Sequence, residues 1–502
     1  MIISYLLGTY IVLYLIFFHD VIKVIGASSF LCAAKSRIVC SNEYSSICKC
    51  LDSHVSNLSG DESEFVLTKY GPIRSEKMMD IKERWWGVRP MLIRQAYDPD
   101  VVSQEDGWPT FDDILELACD EDAESRLITR DENNDFLLEL GPFEREDIQD
   151  LLNGKAPFND IANHTPWSLL VNDVDRFLPS VSDWIDENFS FIPNWRRDDG
   201  QISVACCNGG IGLHVDDYDV FLIQTCGTRI WRVANHFISH EIENTHLIPG
   251  LDVRVLNETS LETNTEDFSL VEIMLKPGDV LYLPPRIPHW GIAYSDNCAT
   301  FSVGCRAPSS SDLIARFAEN LSYQVTGSGV KRYEDSDLAI ISRYDKGEIT
   351  DSAKVKAKTL IRDTVEEFLS NDDFFDEWFG TFATEPKRVR IGYPIPIEST
   401  VDGSCDDDDE FRDPTEIMDA FCSGSLYLHQ AEGLAFAYSK ISSNIYRLFA
   451  NGNCFEVSNS VPVDIISNNK RLFIDNFGGN INSETRTLLN DLLTKGIVYE
   501  SE

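Results

Sequence analysis

Between residues 201 and 306 the chain is cut by glycine and proline turns into short β-branched and aromatic runs. That feature restricts the fold most. Strands are expected at 201–205, 219–224, 229–233, 271–275, 280–283 and 299–305, with Lys276-Pro-Gly-Asp279 as a turn. Many short strands in such a series make an all-β sandwich or barrel.

The flanks read differently. Residues 2–18 are nearly all apolar, and small and then basic residues follow from Gly26 to Arg37. This patterning is expected of a two-part organelle leader, a signal sequence before a plastid or mitochondrial transit segment. A membrane anchor or a wrongly assigned start codon are the alternatives, and a cytoplasmic or nuclear location goes with the latter. Residues 1–77 are therefore read as leader and linker, with the folded part opening near 78 and Lys82. A strand is expected at 91–94, a helix at 112–118, and strands at 125–129 and 135–139 around a Glu132-Asn-Asn134 turn. The stretch 167–171 and the run to Trp184 look helical.

After residue 310 apolar residues recur at three- and four-residue spacing, which predicts helices over 313–321 and 353–369. A Pro- and Asp-rich link spans 386–414. Short strands at 435–438 and 446–449 then precede a helix capped by Ser483, carrying Leu488, Leu489, Leu492 and Leu493 and stopping at Gly496. A final strand is expected at 497–499, and helices followed by a small sheet suggest a winged-helix-like module. With 502 residues to divide, the expected domains are 78–310, 311–395 and 396–502.

The formal charge is −40, from 83 acidic against 43 basic residues. That argues against a nucleic-acid binder relying on phosphate contacts and favours a basic protein or peptide as partner, unless the charge only maintains solubility. Thirteen scattered cysteines, an odd number, do not form a compact disulfide framework and read as reduced thiols.

His214 and Asp216 form a His-x-Asp pair, and residues two apart on an extended strand face the same way. His289, at the end of Leu281-Tyr-Leu-Pro-Pro-Arg-Ile-Pro-His289, supplies a second imidazole from far downstream, and Trp290-Gly291 after it is expected to allow a close turn. Two histidines and one carboxylate with open positions are the ligand set of non-heme Fe(II) oxygenases. Alone, a His-x-Asp pair is a structural commonplace and His289 a loop histidine; the ordered set gives them weight. Alternation sends Arg229 and Trp231 inward and Arg232 outward, so Arg229 can offer a planar fork to the distal carboxylate of 2-oxoglutarate. On its own Arg229 would read as the partner of a surface acid. His164, His236, His240, His246 and His429 lack this setting, although His236 and His240 have i, i+4 spacing.

From about Lys82 onward the chain resembles the bacterial-type ribosomal oxygenases. The resemblance is carried by Arg89-Pro90, Ser125-Arg-Leu127, Gly141-Pro-Phe143, Trp167-Ser-Leu-Leu170, Trp195-Arg-Arg-Asp-Asp199, the run from His214 to Val233, the loop from Pro284 to His289, and Ser302-Val-Gly-Cys-Arg-Ala-Pro308. Trp378-Phe-Gly380 and Thr384-Glu-Pro386 extend it. The resemblance implies an α+β chain: a double-stranded β-helix of the JmjC/cupin kind, a helical dimerisation segment and a C-terminal winged helix that need not touch DNA. It implies Fe(II) on His214, Asp216 and His289, 2-oxoglutarate on Arg229, dioxygen as cosubstrate, and hydroxylation of an arginine in a basic large-subunit ribosomal protein by a homodimer. Arginine at 229, where histidine-hydroxylating relatives carry lysine, favours the bacterial type. Asp199 and Tyr218 are the expected substrate contacts, an acid for a guanidinium and a ring for its face; as a bland alternative Asp199 is a turn residue before Gly200. Gln201 stands where an apolar wall residue is expected. The rival readings are the same chemistry on histidine or on a histone lysine, and a catalytically silent cupin scaffold. No direct nucleic-acid contact is expected, and membrane association only if the N-terminal apolar segment is an uncleaved anchor.

Overall fold

The computed structural model describes residues 67–70, 86–98, 108–130, 135–152, 166–251, 254–266, 268–325, 331–334, 347–386 and 413–501. The expected leader, apart from 67–70, and the Asp-rich link between 387 and 412 lie outside them. The chain divides into two compact units, Met1–Val55 with Glu144–Thr165, and Ser56–Phe143 with Pro166–Glu502. In the first unit the described part is one helix, Arg145–Leu152.

Two sheets face one another. The larger contains β1 (Leu67–Tyr70), β2 (Met91–Arg94), β3 (Ser125–Arg130), β4 (Phe136–Leu140), β5 (Ser168–Val171), β6 (Arg197–Ala205), β7 (Asp219–Cys226), β10 (Val280–Leu283) and β12 (Cys298–Cys305). Its order is β1-β2-β10-β7-β12-β6-β5-β3-β4. The smaller holds β8 (Arg229–Ala234), β9 (Leu270–Leu275) and β11 (His289–Ala293) in the order β11-β8-β9. An antiparallel bridge between His214 and His289 adds one more short rung at its β11 edge. From β6 through the His214 rung to β12 successive strands thus alternate between the sheets, except that β8 and β9 pair within the smaller one. That alternation is the winding of a double-stranded β-helix, as the resemblance implied.

Period-two alternation explains the filling. Val220 and Leu222 of β7, Trp231 and Val233 of β8, and Leu281 and Leu283 of β10 meet in one buried cluster between the sheets. Phe221 points the other way, against Phe189, Phe191 and Tyr282. Burying these side chains is worth roughly 2 kcal/mol each, which makes the barrel a rigid mount for whatever its mouth carries.

Three expectations are corrected. Residues 167–171 are not helical: Ser168–Val171 is β5, hydrogen-bonded to β3 and β6, with all four residues buried. The helices begin only at Val174–Phe177 (α1) and Pro179–Asn188 (α2). Nor are 67–70 linker, because Leu67–Tyr70 pairs in parallel with Met91–Arg94, so the fold opens before residue 78. Trp290 and Gly291 do not turn; they continue β11 beside β8.

Beyond β12 come α3 (Ser310–Gln324), α4 (Asp351–Leu369) and α5 (Asp372–Thr384). The last part carries α6 (Pro414–Ser423), two three-stranded sheets and α7 (Ser483–Thr494), whose cap is Asn482 rather than Ser483. Leu488, Leu489, Leu492 and Leu493 enter its core as their spacing predicts. Among the described residues no helix is long and apolar enough to cross a membrane.

Candidate metal centre

The chain enters the site through Gly212, whose φ of +88° and close approach to Val255 leave no room for a Cβ. Its carbonyl oxygen accepts a hydrogen bond from His214 Nδ1 at 2.9 Å. His289 Nδ1 donates in the same way to the Ile287 carbonyl oxygen, also at 2.9 Å. Each imidazole therefore presents Nε2 as the lone-pair nitrogen, the tautomer a metal requires. The backbones of His214 and His289 exchange both hydrogen bonds, 3.0 and 2.9 Å, which locks the two histidines side by side. Asp216 completes the group, its Oδ2 3.5 Å from His289 Nε2. One ligand atom from each of His214, Asp216 and His289 lies within 4.8 Å of the others, and no other such group of three occurs among the described residues.

Electrostatics fit a cation at this point. Burial, with the neighbouring His289, pushes His214 down to about 4 against the pull of Asp216, so the ring is neutral at pH 7. Burial alone would raise the Asp216 carboxyl; the His289 hydrogen bond, the two imidazoles and a hydrogen bond with Tyr218 outweigh it and hold it below the usual carboxylate range. The Asp216 charge, burial and Asp199 together raise Tyr218 far above an ordinary phenol, so its hydroxyl stays protonated.

Arg229 opens β8 inside the barrel at 4% exposure. Its Nη1 and Nη2 make only long bonds, 3.4 Å each, to Ser203 Oγ and to the Cys298 carbonyl oxygen, and Nε has no partner. Among the described residues no carboxylate pairs with it. A buried guanidinium without an anion is costly, and such a group can hold an acid that arrives from outside. Arg232 points outward, to Glu258 and Glu272.

Tyr218 lies beside the triad, hydrogen-bonded to Asp216, and the Asp199 carboxylate, whose charge is felt at Tyr218, faces Gly304. Gln201, flagged as out of place, donates to Asn172 Oδ1 at 2.6 Å; the same oxygen accepts from Arg126 Nη2 at 3.1 Å. The Arg126 charge is felt at both His214 and Tyr218. In the sequence Arg126 stands out only within Ser125-Arg-Leu127, because its nearness to the site depends on β3 lying two strands from β6. The remaining described histidines stay apart: His246 Nδ1 meets Ser260, His429 Nδ1 meets the Gln430 carbonyl, and His236 precedes the short helix that His240 opens. His164 lies outside the described residues.

Residues 185–313 match the JmjC domain. The chain is 28% identical over 402 residues to the ribosomal protein uL16 3-hydroxylase of Escherichia coli, covering 80% of this chain and 91% of that one. It is 27% identical over 383 residues to a probable ribosomal oxygenase of Haemophilus influenzae, 76% of this chain and 83% of that one. The structure of YcfD, a ribosomal oxygenase from Escherichia coli, in complex with cobalt and 2-oxoglutarate superposes with a TM-score of 0.60 at 25% identity, covering 85% of this chain and 98% of that one.

Proposed function

We infer that this chain is a 2-oxoglutarate-dependent protein hydroxylase related to the ribosomal oxygenases, and propose that its target is an arginine of a large-subunit ribosomal protein. One observation carries the reading: a three-ligand metal face stands in the same barrel as a buried guanidinium that no carboxylate among the described residues pairs with. His214, Asp216 and His289 would hold Fe(II), and Arg229 the distal carboxylate of 2-oxoglutarate. When bound, iron and 2-oxoglutarate supply the oxidation, placing one atom of dioxygen on the target residue and the other in succinate as carbon dioxide leaves.

The protein's part is placement. The two Nδ1–H bonds keep both Nε2 lone pairs on the metal side, and Tyr218 steadies the Asp216 carboxylate. The apolar layer of Trp231, Val233, Val220 and Leu222 keeps water from the cosubstrate. Asp199 supplies the charge that a substrate guanidinium needs, and the Tyr218 ring a face for it to lie on. The helices from α3 to α5 form the dimerisation segment in this reading. α4 buries none of its residues and leaves Val355, Ile361 and Leu369 exposed, which is what an unpaired interface looks like. The segment after 396 is read as the winged-helix-like module, with no role in nucleic-acid binding.

The test is mass spectrometry of ribosomal proteins after incubation with the enzyme, Fe(II) and 2-oxoglutarate. A gain of one oxygen on an arginine is expected. The same gain on histidine, or loss of a lysine methyl group, replaces the substrate; no 2-oxoglutarate turnover with any ribosomal protein leaves a silent scaffold.

A further inference from the structure

We propose that Arg286 is a positioning residue that fastens the two loops bearing Asp216 and His289, so that their ligand atoms stay at one point; the proposal rests on the metal-centre reading above. Arg286 sits in the middle of the Pro284–Pro288 turn with φ at +68°. A residue with a Cβ avoids that region, and turn chemistry alone would select glycine or asparagine there. An arginine is held in it only if its contacts outweigh the strain.

Those contacts reach three segments. The Arg286 N–H donates to the Asp216 carbonyl oxygen at 2.8 Å. Its own carbonyl oxygen accepts from Ile238 N–H at 3.0 Å, and its Nε donates back to the Ile238 carbonyl oxygen at 3.1 Å. Nη1 forks between Glu243 Oε2 at 2.7 Å and Asp217 Oδ1 at 2.9 Å. The guanidinium thus grips the residue next to Asp216, while its backbone runs on through Ile287 and Pro288 to His289. Glu243 is a prepared anchor. Its side chain is 5% exposed, and Arg254 holds its other oxygen at 2.7 Å. His240 flanks Asp217 and Glu243 at 3.7 and 3.6 Å. Because Arg254 still neutralises Glu243 when Arg286 is changed, removing the Arg286 guanidinium releases Asp217 without orphaning a buried acid.

Cobalt(II) titration of the full chain, followed by its visible absorption, separates the outcomes. Arg286→Gly, which tolerates the backbone angle but loses the fork, is expected to weaken cobalt binding about tenfold with the thermal midpoint nearly unchanged. Arg286→Lys, a single point charge, should recover part of that loss, and Glu243→Gln should lose a smaller share. Wild-type affinity in both Arg286→Gly and Glu243→Gln would overturn the clamp. Absence of cobalt binding by the unaltered protein would instead overturn the metal centre itself.

Discussion

The His214 ring reaches the metal site already deprotonated at Nε2, and its surroundings set a pH limit. In the unfolded chain an imidazole titrates near 6.5; here burial holds it down to about 4. Between those values the unfolded state binds the proton and the folded state does not. Stability of the metal-free protein is therefore complete above about pH 6.5 and declines as pH falls towards 4. The loss should be on the order of 1–2 kcal/mol, less than the full shift, because the ring is only half-buried. Urea midpoints at several pH values test this, and His214→Gln should flatten the slope. Arg229 gives a second expectation. Arg229→Ala removes two long hydrogen bonds and leaves the strand paired, so the fold should persist while the apparent KM for 2-oxoglutarate rises by about 100-fold or turnover vanishes. Unchanged 2-oxoglutarate kinetics would move the cosubstrate site elsewhere. Arg229 was legible in the sequence because alternation along β8 fixes which way it points, and His214 because it stands in a His-x-Asp pair. Arg286 and Asn172 were not. Their partners, Glu243, Asp217 and Gln201, come from segments whose meeting no local pattern announces.

Elements were legible where periodicity agreed with their surroundings. Each of the six barrel strands read from the sequence is present, several extended by a residue or more. β5 misled because four consecutive apolar or small residues carry no period, and burial on both faces, not helix propensity, decides such a run. β11 was hidden by Gly291, which reads as a turn but lies against Trp231 in the paired register. The Trp378-Phe-Gly380 motif shows the reverse, a sequence signal whose reason needed the packing. On α5, Gly380 rests against the Phe449 ring of the strand Ile445–Ala450, and a Cβ there would come within 2.3 Å of ring carbon. Helix propensity favours alanine over glycine by about 1 kcal/mol. Overpacking against a buried ring costs roughly 1–3 kcal/mol and should win. Gly380→Ala is thus expected to lower the thermal midpoint of the C-terminal region, and pairing it with Phe449→Leu should recover much of the loss. A rise in the midpoint would mean that α5 packs farther from that sheet.

At the scale of the whole molecule the surplus of acid is the feature that neither barrel nor triad requires. A charge of −40 spread over 502 residues repels itself, and it is retained at some expense to the compact state. The functional reading gives it a use, since a basic ribosomal protein approaching an acidic surface is drawn in before any specific contact forms. That attraction acts over about a Debye length, and salt shortens it. Raising ionic strength from about 50 mM to about 300 mM should therefore lower kcat/KM for the protein substrate by roughly 3–10-fold, chiefly through KM. The turnover of 2-oxoglutarate without protein substrate should hardly change, because Arg229 lies inside the barrel at 4% exposure, where screening is weak. A short peptide carrying the target arginine, with few other charges, should lose less than the intact basic protein. If peptide and protein lose kcat/KM equally, the effect belongs to the site at Asp199 and Tyr218. If neither loses any, the acidic surface does not recruit the substrate and its charge serves solubility alone.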